Sequence, residues 1–292
     1  MKYIIMTLLA LSFLMGPSQA APIELEISTS NKPGGSSTLV TEEFRQFVKD
    51  NASDKITFKA VNRPNCRAVM ADLMKNPDTK MIVPWASNWA AYEDGACDIE
   101  WEANKLVGQI YNIQFAVCSR KDTLAFADLK DANKELTIAV PNVTFNKWAK
   151  SIPSGARFKP IPYESSGQMW AGFMAGDTDV VAGIVRWYNA LKTDQVDCYF
   201  STNPAGVAEF DIPAAADMYP GWSYNTTGIV SAFIANGLSE SEVAAVRQVW
   251  MDFEKSESFQ GLLAKYNWPT KEPSLDEFLS QINTSRASFL PE

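Results

Sequence analysis

Apolar residues alternate at Ile23, Leu25 and Ile27, and the period then lengthens. After Lys32-Pro-Gly-Gly-Ser-Ser37, Val40, Phe44, Phe47 and Val48 recur on one helical face. A strand, a tight turn and a helix are predicted. Two glycines let the backbone pass close to a ligand, and the free amides at a helix start point outward, so this junction is a candidate anion site. The cycle repeats. Residues 55–61 alternate as a second strand, 62–67 turn, and 68–75 read as a helix with Val69, Met70 and Leu73 inward. Lys80-Met-Ile-Val-Pro84 is a third, apolar strand running into Trp85-Ala-Ser-Asn-Trp89. The β-α-β-α-β order predicts a parallel sheet with helices on its faces. In such sheets ligands sit beyond the carboxyl ends of the strands, which puts residues 32–37 and 85–88 on one rim.

A strand over residues 112–118 begins a second cycle. It predicts a helix over 122–131, a strand over 136–140, a loop over 141–144 and a helix with Phe145 and Trp148 inward. A strand over 158–163, a loop over 164–167, a helix around Met169, Phe173 and Met174, and a short buried strand over 180–183 follow. Asn142 to Thr144 and Ser165 to Gly167 are the polar strand-end loops of this unit. Residues 228–235 form a strand long enough to return between lobes, and Pro220-Gly-Trp222 turns the chain ahead of it. Ser239-Glu-Ser-Glu242 is a capping box that opens a helix with Val243, Val246, Val249, Trp250 and Phe253 inward. Ser274-Leu-Asp-Glu277 opens the last helix in the same way. The expected division is residues 21–115 plus 230–292 as lobe 1 and 116–229 as lobe 2, with a hinge at the two crossings.

The N-terminus changes the compartment. Lys2, an apolar run over residues 3–15 and Pro17-Ser-Gln-Ala20 read as a secretory signal peptide over residues 1–20, not a membrane span. The chain beyond the leader is expected to be exported and soluble. The formal net charge of −8 argues against nucleic acid and anionic membrane surfaces as partners. All four cysteines, Cys66, Cys97, Cys118 and Cys198, lie beyond the leader, and an even number in an exported protein favours disulfides. Three pairings exist; the division into lobes favours Cys66–Cys97 and Cys118–Cys198, each within one lobe. The chain has no histidine, so Ser-His-Asp and Cys-His nucleophile pairs and His-based zinc sites are excluded. No catalytic set, cofactor or metal is indicated.

Several motifs then fall in a known order. Pro33-Gly34-Gly35 follows the first strand and Asn62-Arg63-Pro64 the second; Asn76-Pro77-Asp78-Thr79 closes the second helix. Gly176-Asp177-Thr178-Asp179, Pro220-Gly221-Trp222 and Ala235-Asn236-Gly237 follow. Over nearly the whole exported part the sequence resembles the periplasmic substrate-binding receptors of tripartite tricarboxylate transporters. The resemblance implies an α/β fold of the two-lobed type II periplasmic binding protein (Venus-flytrap) kind, each lobe a parallel or mixed sheet flanked by helices. It implies a monomeric receptor, not an enzyme, that closes on a small carboxylated organic acid and serves integral-membrane transporter subunits. By position, the implied ligand-binding residues are Lys32, Gly34, Gly35, Ser36, Ser37, Trp85, Ser87, Asn142, Thr144, Ser165, Ser166 and Gly167. The chain departs from the family at Asn65-Cys66-Arg67-Ala68, where a Gly-rich stretch is usual, and at residues 141–146, which lack the usual Gly-rich loop with a histidine.

Each of these residues also has a plain structural reading. Ser36, Ser37, Thr144, Ser165 and Ser166 are good helix caps; Trp85 fits core packing; Arg186, which follows a buried strand end and could pair with a carboxylate, better fits an ordinary salt bridge. Two other functions compete: a binding protein of another transporter or sensor class for an amino acid, phosphonate or oxyanion, and a secreted enzyme on a similar fold.

Overall fold

A computed structural model describes residues 21–29, 36–63, 65–91, 97, 105–141, 145–152, 154–164, 166–184, 193–202, 206–220, 229–266, 268 and 275–289. In chain order the strands are β1 (Ile23–Thr29), β2 (Ile56–Asn62), β3 (Met81–Ala86), β4 (Leu106–Ile113), β5 (Phe115–Arg120), β6 (Glu135–Val140), β7 (Arg157–Pro162), β8 (Val180–Ile184), β9 (Val196–Ser201) and β10 (Ile229–Asn236). The helices are α1 (Ser36–Asn51), α2 (Cys66–Lys75), α3 (Phe126–Leu129), α4 (Asn146–Ser151), α5 (Ser166–Ala175), α6 (Ala215–Met218), α7 (Glu240–Glu254), α8 (Glu257–Tyr266) and α9 (Leu275–Phe289).

The strands make two five-stranded sheets of one design, β2-β1-β3-β10-β4 and β7-β6-β8-β5-β9. Each has a parallel trio at one side, then an antiparallel strand, then a strand antiparallel to that one. The α/β architecture of two mixed sheets flanked by helices is therefore as expected. On the first sheet, Leu25 and Ile27 face α1, whose Val40, Phe44 and Val48 are buried at a spacing of four. Phe44 is the hub there, with ring centroids 5.4 Å from Phe58, 4.9 Å from Trp250 and 5.2 Å from Phe253. The opposite face packs Val83 and Trp85 on α2 and α9. The second sheet is likewise covered on both faces, by Phe145 and Ala149 of the α4 segment and by Met169, Trp170 and Phe173 of α5. A matching pair of glycines admits a tryptophan onto each sheet: a Cβ at Gly108 would overlap the Trp250 indole, and one at Gly183 that of Trp170.

Three expectations change. The single strand over 112–118 is two strands, β4 and β5, separated by Gln114 alone and lying in different sheets. The helix over 122–131 shrinks to Phe126–Leu129, because Asp122 takes a left-handed conformation (φ 56°) inside a turn. β9 has no counterpart among the expected elements; it pairs antiparallel with β5 and sets Cys198 opposite Cys118. The disulfides are Cys66–Cys97 and Cys118–Cys198, the pairing preferred from the sequence. Ser239 and Glu242 form the capping box of α7 as read, while Ser274 lies outside the described residues. No described helix is long and apolar enough to cross a membrane.

Candidate functional site

Strand register fixes which ends of the sheets meet. In the first sheet Ile113, the last residue of β4, pairs with Ile229, the first of β10, beside the carboxyl end of β3. In the second, Phe115, the first residue of β5, pairs with Ile184, the last of β8. Since Gln114 alone joins Ile113 to Phe115, the chain passes directly from the carboxyl rim of one parallel trio to that of the other. The two rims therefore face one crossing, where an open α/β sheet places its ligands.

The crossing is held firmly on both sides. Phe115 donates its amide to the Thr202 hydroxyl at 3.1 Å, and its carbonyl accepts the Ser201 hydroxyl at 3.1 Å and the Thr202 amide at 2.8 Å. The Phe115 ring packs edge-on against Phe145 at 5.3 Å, just ahead of α4. On the other rim, Ser231 donates its hydroxyl to the Trp85 carbonyl at 2.8 Å, pinning the end of β3 to β10.

The expected site residues divide into three groups. Ser36 is the first residue of α1 and Ser37 the second; Ser37 is buried, and its carbonyl accepts the Thr41 hydroxyl at 2.7 Å. Ser166 and Gly167 form the first turn of α5 on the other rim, where Gly167 is exposed with open space around its Cβ position. Trp85 and Ser87 lie deeper than a rim loop would hold them. β3 continues through Ala86, so Trp85 is a strand residue with no exposed surface, and its indole donates to the Cys97 carbonyl at 3.2 Å. Trp85 is core packing here, not an open wall of the cleft. Ser87 is equally buried and accepts the hydroxyl of Ser285 on α9 at 2.6 Å. Lys32, Gly34, Gly35, Asn142, Thr144, Ser165 and Arg186 lie outside the described residues.

Ser285 had no signal in the sequence, because a small polar residue on the inner face of a helix reads as an ordinary interruption. It ties α9, which also touches α4 of the second sheet, to the turn after β3. Replacing Ser285 with alanine leaves one buried hydroxyl without this partner. It is expected to cost about 1 kcal/mol, seen as a fall of about 2–4 °C in the thermal midpoint.

The carboxylates with displaced titration belong to ion pairs, whereas burial raises Tyr163, Tyr199 and Tyr219. Arg63 holds both Glu26 and Asp72 below the usual carboxylate range, chiefly by its hydrogen bonds to them. Lys80 does the same to Glu242, whose carboxyl is pulled down to about 2. These carboxylates stay charged at neutral pH and bond to cations, which suits architecture better than proton transfer. No cluster of residues able to hold a metal ion occurs among the described residues. Among the described residues, the starts of α1 and α5 offer neutral groups, backbone amides and hydroxyls.

Known proteins carry the comparison further. No family model matches the chain, and no curated protein matches it in sequence. Solved structures do. A TctC solute-binding protein from Polaromonas superposes with a TM-score of 0.70 at 12% identity, over 94% of this chain and 97% of that one. The chain has the fold of the TctC solute-binding proteins. A protein from R. palustris with adipate gives a TM-score of 0.66 at 12% identity, covering 91% of this chain and 95% of that one. MatC from Rhodopseudomonas palustris with bound malate gives 0.61 at 13% identity, covering 92% and 99%. The solute-binding fold thus spans the whole of these proteins and nearly all of this chain, in agreement with the resemblance read from the motifs.

Proposed function

We propose that the protein is an extracytoplasmic receptor that takes a small carboxylated organic acid between its lobes and passes it to a membrane transporter. The observation that carries this reading is the rim-to-rim crossing at Gln114, which turns the starts of α1 and α5 toward one cleft. Helix starts favour an anion by about 0.3–1 kcal/mol each when exposed and up to about 2 when partly buried. Hydrogen bonds to a carboxylate add roughly 1.5–3 kcal/mol apiece. A micromolar receptor needs about 8 kcal/mol in all, so neutral donors suffice and a cationic cage is not required.

In this reading residues 21–115 with 230–292 form one lobe, 116–229 the other, and residues 1–20 direct export to the periplasm, where the protein works as a monomer without catalysis. The ligand class is supported by the malate and adipate that two structural neighbours carry. Gly167→Asp gives a clean test. The position is exposed in the first turn of α5, so the carboxylate fits sterically and even favours the helix. It also places like charge where the ligand's carboxylate would sit. Malate, adipate and citrate are expected to raise the thermal midpoint of the wild-type protein and to quench its tryptophan fluorescence. In Gly167→Asp the affinity falls at least tenfold, about 1.4 kcal/mol, with the ligand-free midpoint kept. Equal affinity in the two proteins would remove α5 from the site. If methylphosphonate or an amino acid shifts the midpoint and no organic acid does, the carboxylate assignment is wrong.

A further inference from the structure

Three of the four sheet edges carry a feature that hinders a further strand, among the described residues. At β4, Arg247 donates from Nε to the Leu106 carbonyl at 3.1 Å. On β9, Ser201 donates its amide to the Pro213 carbonyl at 2.8 Å and bridges to Ala214. On β7 the closure is chemical. Arg157 donates its amide to Lys134 and Tyr163 to Val140, so 157, 159, 161 and 163 bond toward β6 and the alternate positions face outward. Two of those outward positions are Pro160 and Pro162, which have no N–H to offer a further strand.

β2 holds the equivalent place in the first sheet and lacks that protection. Ile23 donates its amide to the Lys55 carbonyl at 2.8 Å, and Arg63 donates to the Thr29 carbonyl at 2.9 Å. Residues 55, 57, 59, 61 and 63 therefore bond toward β1, and the N–H and C=O groups of Phe58, Ala60 and Asn62 face away from the sheet. Thr57, Lys59, Ala60 and Asn62 are exposed. A groove flanks this edge on each face of the sheet. One, of about 500 Å³, runs between β2 and α1 and is lined by Glu42, Arg45, Lys49, Ile56 and Phe58 among others. The other, of about 460 Å³, lies on the opposite face beside Glu24, Glu26, Lys59 and Lys80. An added strand sends alternate side chains to the two faces, so each groove would receive every second residue.

Charge selects the occupant. Arg45 makes no ion pair or hydrogen bond among the described residues, and its Nε is buried without a partner. With Lys49 it gives the α1-side groove two cations against Glu42 alone. Symmetric pairing with a second copy would bring Lys59, Arg45 and Lys49 toward their own counterparts, and an edge lysine is a common device against such self-pairing. We propose that the outer edge of β2 docks an extended strand of a partner protein that carries acidic side chains toward Arg45 and Lys49. β2 and β4 are opposite edges of the sheet and the crossing leaves from β4, so docking here leaves the cleft unobstructed whichever solute it takes.

Two fluorescein-labelled peptides of one alternating design, Thr-Glu-Val-Glu-Val-Glu-Thr and its lysine counterpart, test this by fluorescence anisotropy on the whole protein. The acidic peptide is expected to bind at least tenfold tighter than the basic one. Ala60→Pro removes one outward N–H without touching a bond to β1 and should weaken the acidic peptide at least tenfold, with the thermal midpoint little changed. Arg45→Glu, on a helix surface and harmless to the strand, should invert the preference between the peptides. Equal binding of both peptides, or acidic-peptide binding that survives both substitutions, overturns the proposal. A wild-type dimer on size exclusion that Ala60→Pro converts to a monomer also overturns it, because the occupant is then a second copy.

Discussion

Replacing Cys118 and Cys198 together with alanine is expected to lower the free energy of unfolding by about 3–4 kcal/mol. The bridge joins β5 to β9 across 80 residues of sequence, and chain entropy makes such a long loop costly to close without it. Cys66–Cys97 spans 31 residues, and the same dependence makes its removal cheaper by about 0.8 kcal/mol. Urea unfolding of the two double-alanine variants, side by side at neutral pH, checks both the size and the order. If the Cys66/Cys97 variant proves the weaker protein, local packing around Trp85, whose indole bonds to the Cys97 carbonyl, outweighs loop length.

Arg63→Met is expected to cost about 2–3 kcal/mol at pH 7 and to flatten the acid limb of stability. Arg63 is 5% exposed, and its guanidinium sits between two carboxylates: Nη2 bonds Glu26 at 2.8 Å, Nε bonds Asp72 at 2.6 Å, and Nη2 also reaches Asp72. Removing one partner of a fully buried pair costs about 3–5 kcal/mol. The present figure is smaller because Glu26 and Asp72 keep some contact with water and have second partners in Lys59 and Asn76. Both carboxyls are lowered from ordinary values of 4.5 and 3.8, with the Arg63 hydrogen bond the largest cause in each. Depressed carboxylates stabilise fully above those ordinary values and lose that contribution as pH falls through their folded values. The gap between wild type and variant should therefore be widest near neutrality and narrow below about pH 4. A gap that stays constant from pH 7 to pH 3 would mean that methionine's poorer packing, not charge, carries the loss.

Arg63 also explains why the fold was more legible than the site. The motifs behind the family resemblance turn out to be fastenings. Asn236 donates its side-chain amide to the carbonyls of Asn76, Pro77 and Thr79, so the Ala235-Asn236-Gly237 turn clasps the Asn76–Thr79 turn. Asp179 accepts the amide and hydroxyl of Thr137, both at 2.7 Å, and clips β8 to β6. Gly176 ends α5 at φ 98°, and Arg120 caps the same end through the Phe173 and Thr178 carbonyls. Such bonds depend on residue type at fixed places, so a short motif records them. Ligand contacts made through backbone amides leave little trace in side-chain identity. Trp85 was hard to read for a related reason: an apolar run does not reveal where the strand stops, and here it runs two residues past Pro84. The break at Gln114 leaves no mark in the sequence because both of its flanks are apolar strand, and only pairing partners tell two sheets apart.

The place of β10 governs the order in which the molecule can assemble. Every described strand of the second sheet lies between Phe115 and Ser201, so those five strands are all present in a chain that stops there. Those of the first sheet are not. Among the described residues β10 is the only strand neighbour of β4, and β10 separates it from β3, so β4 has no described strand to pair with until residues 229–236 arrive. A chain emerging from its N-terminus therefore presents its first lobe last, and among the described strands a truncation before Ile229 leaves β3 and β4 as two bare edges beside the five strands of the second sheet.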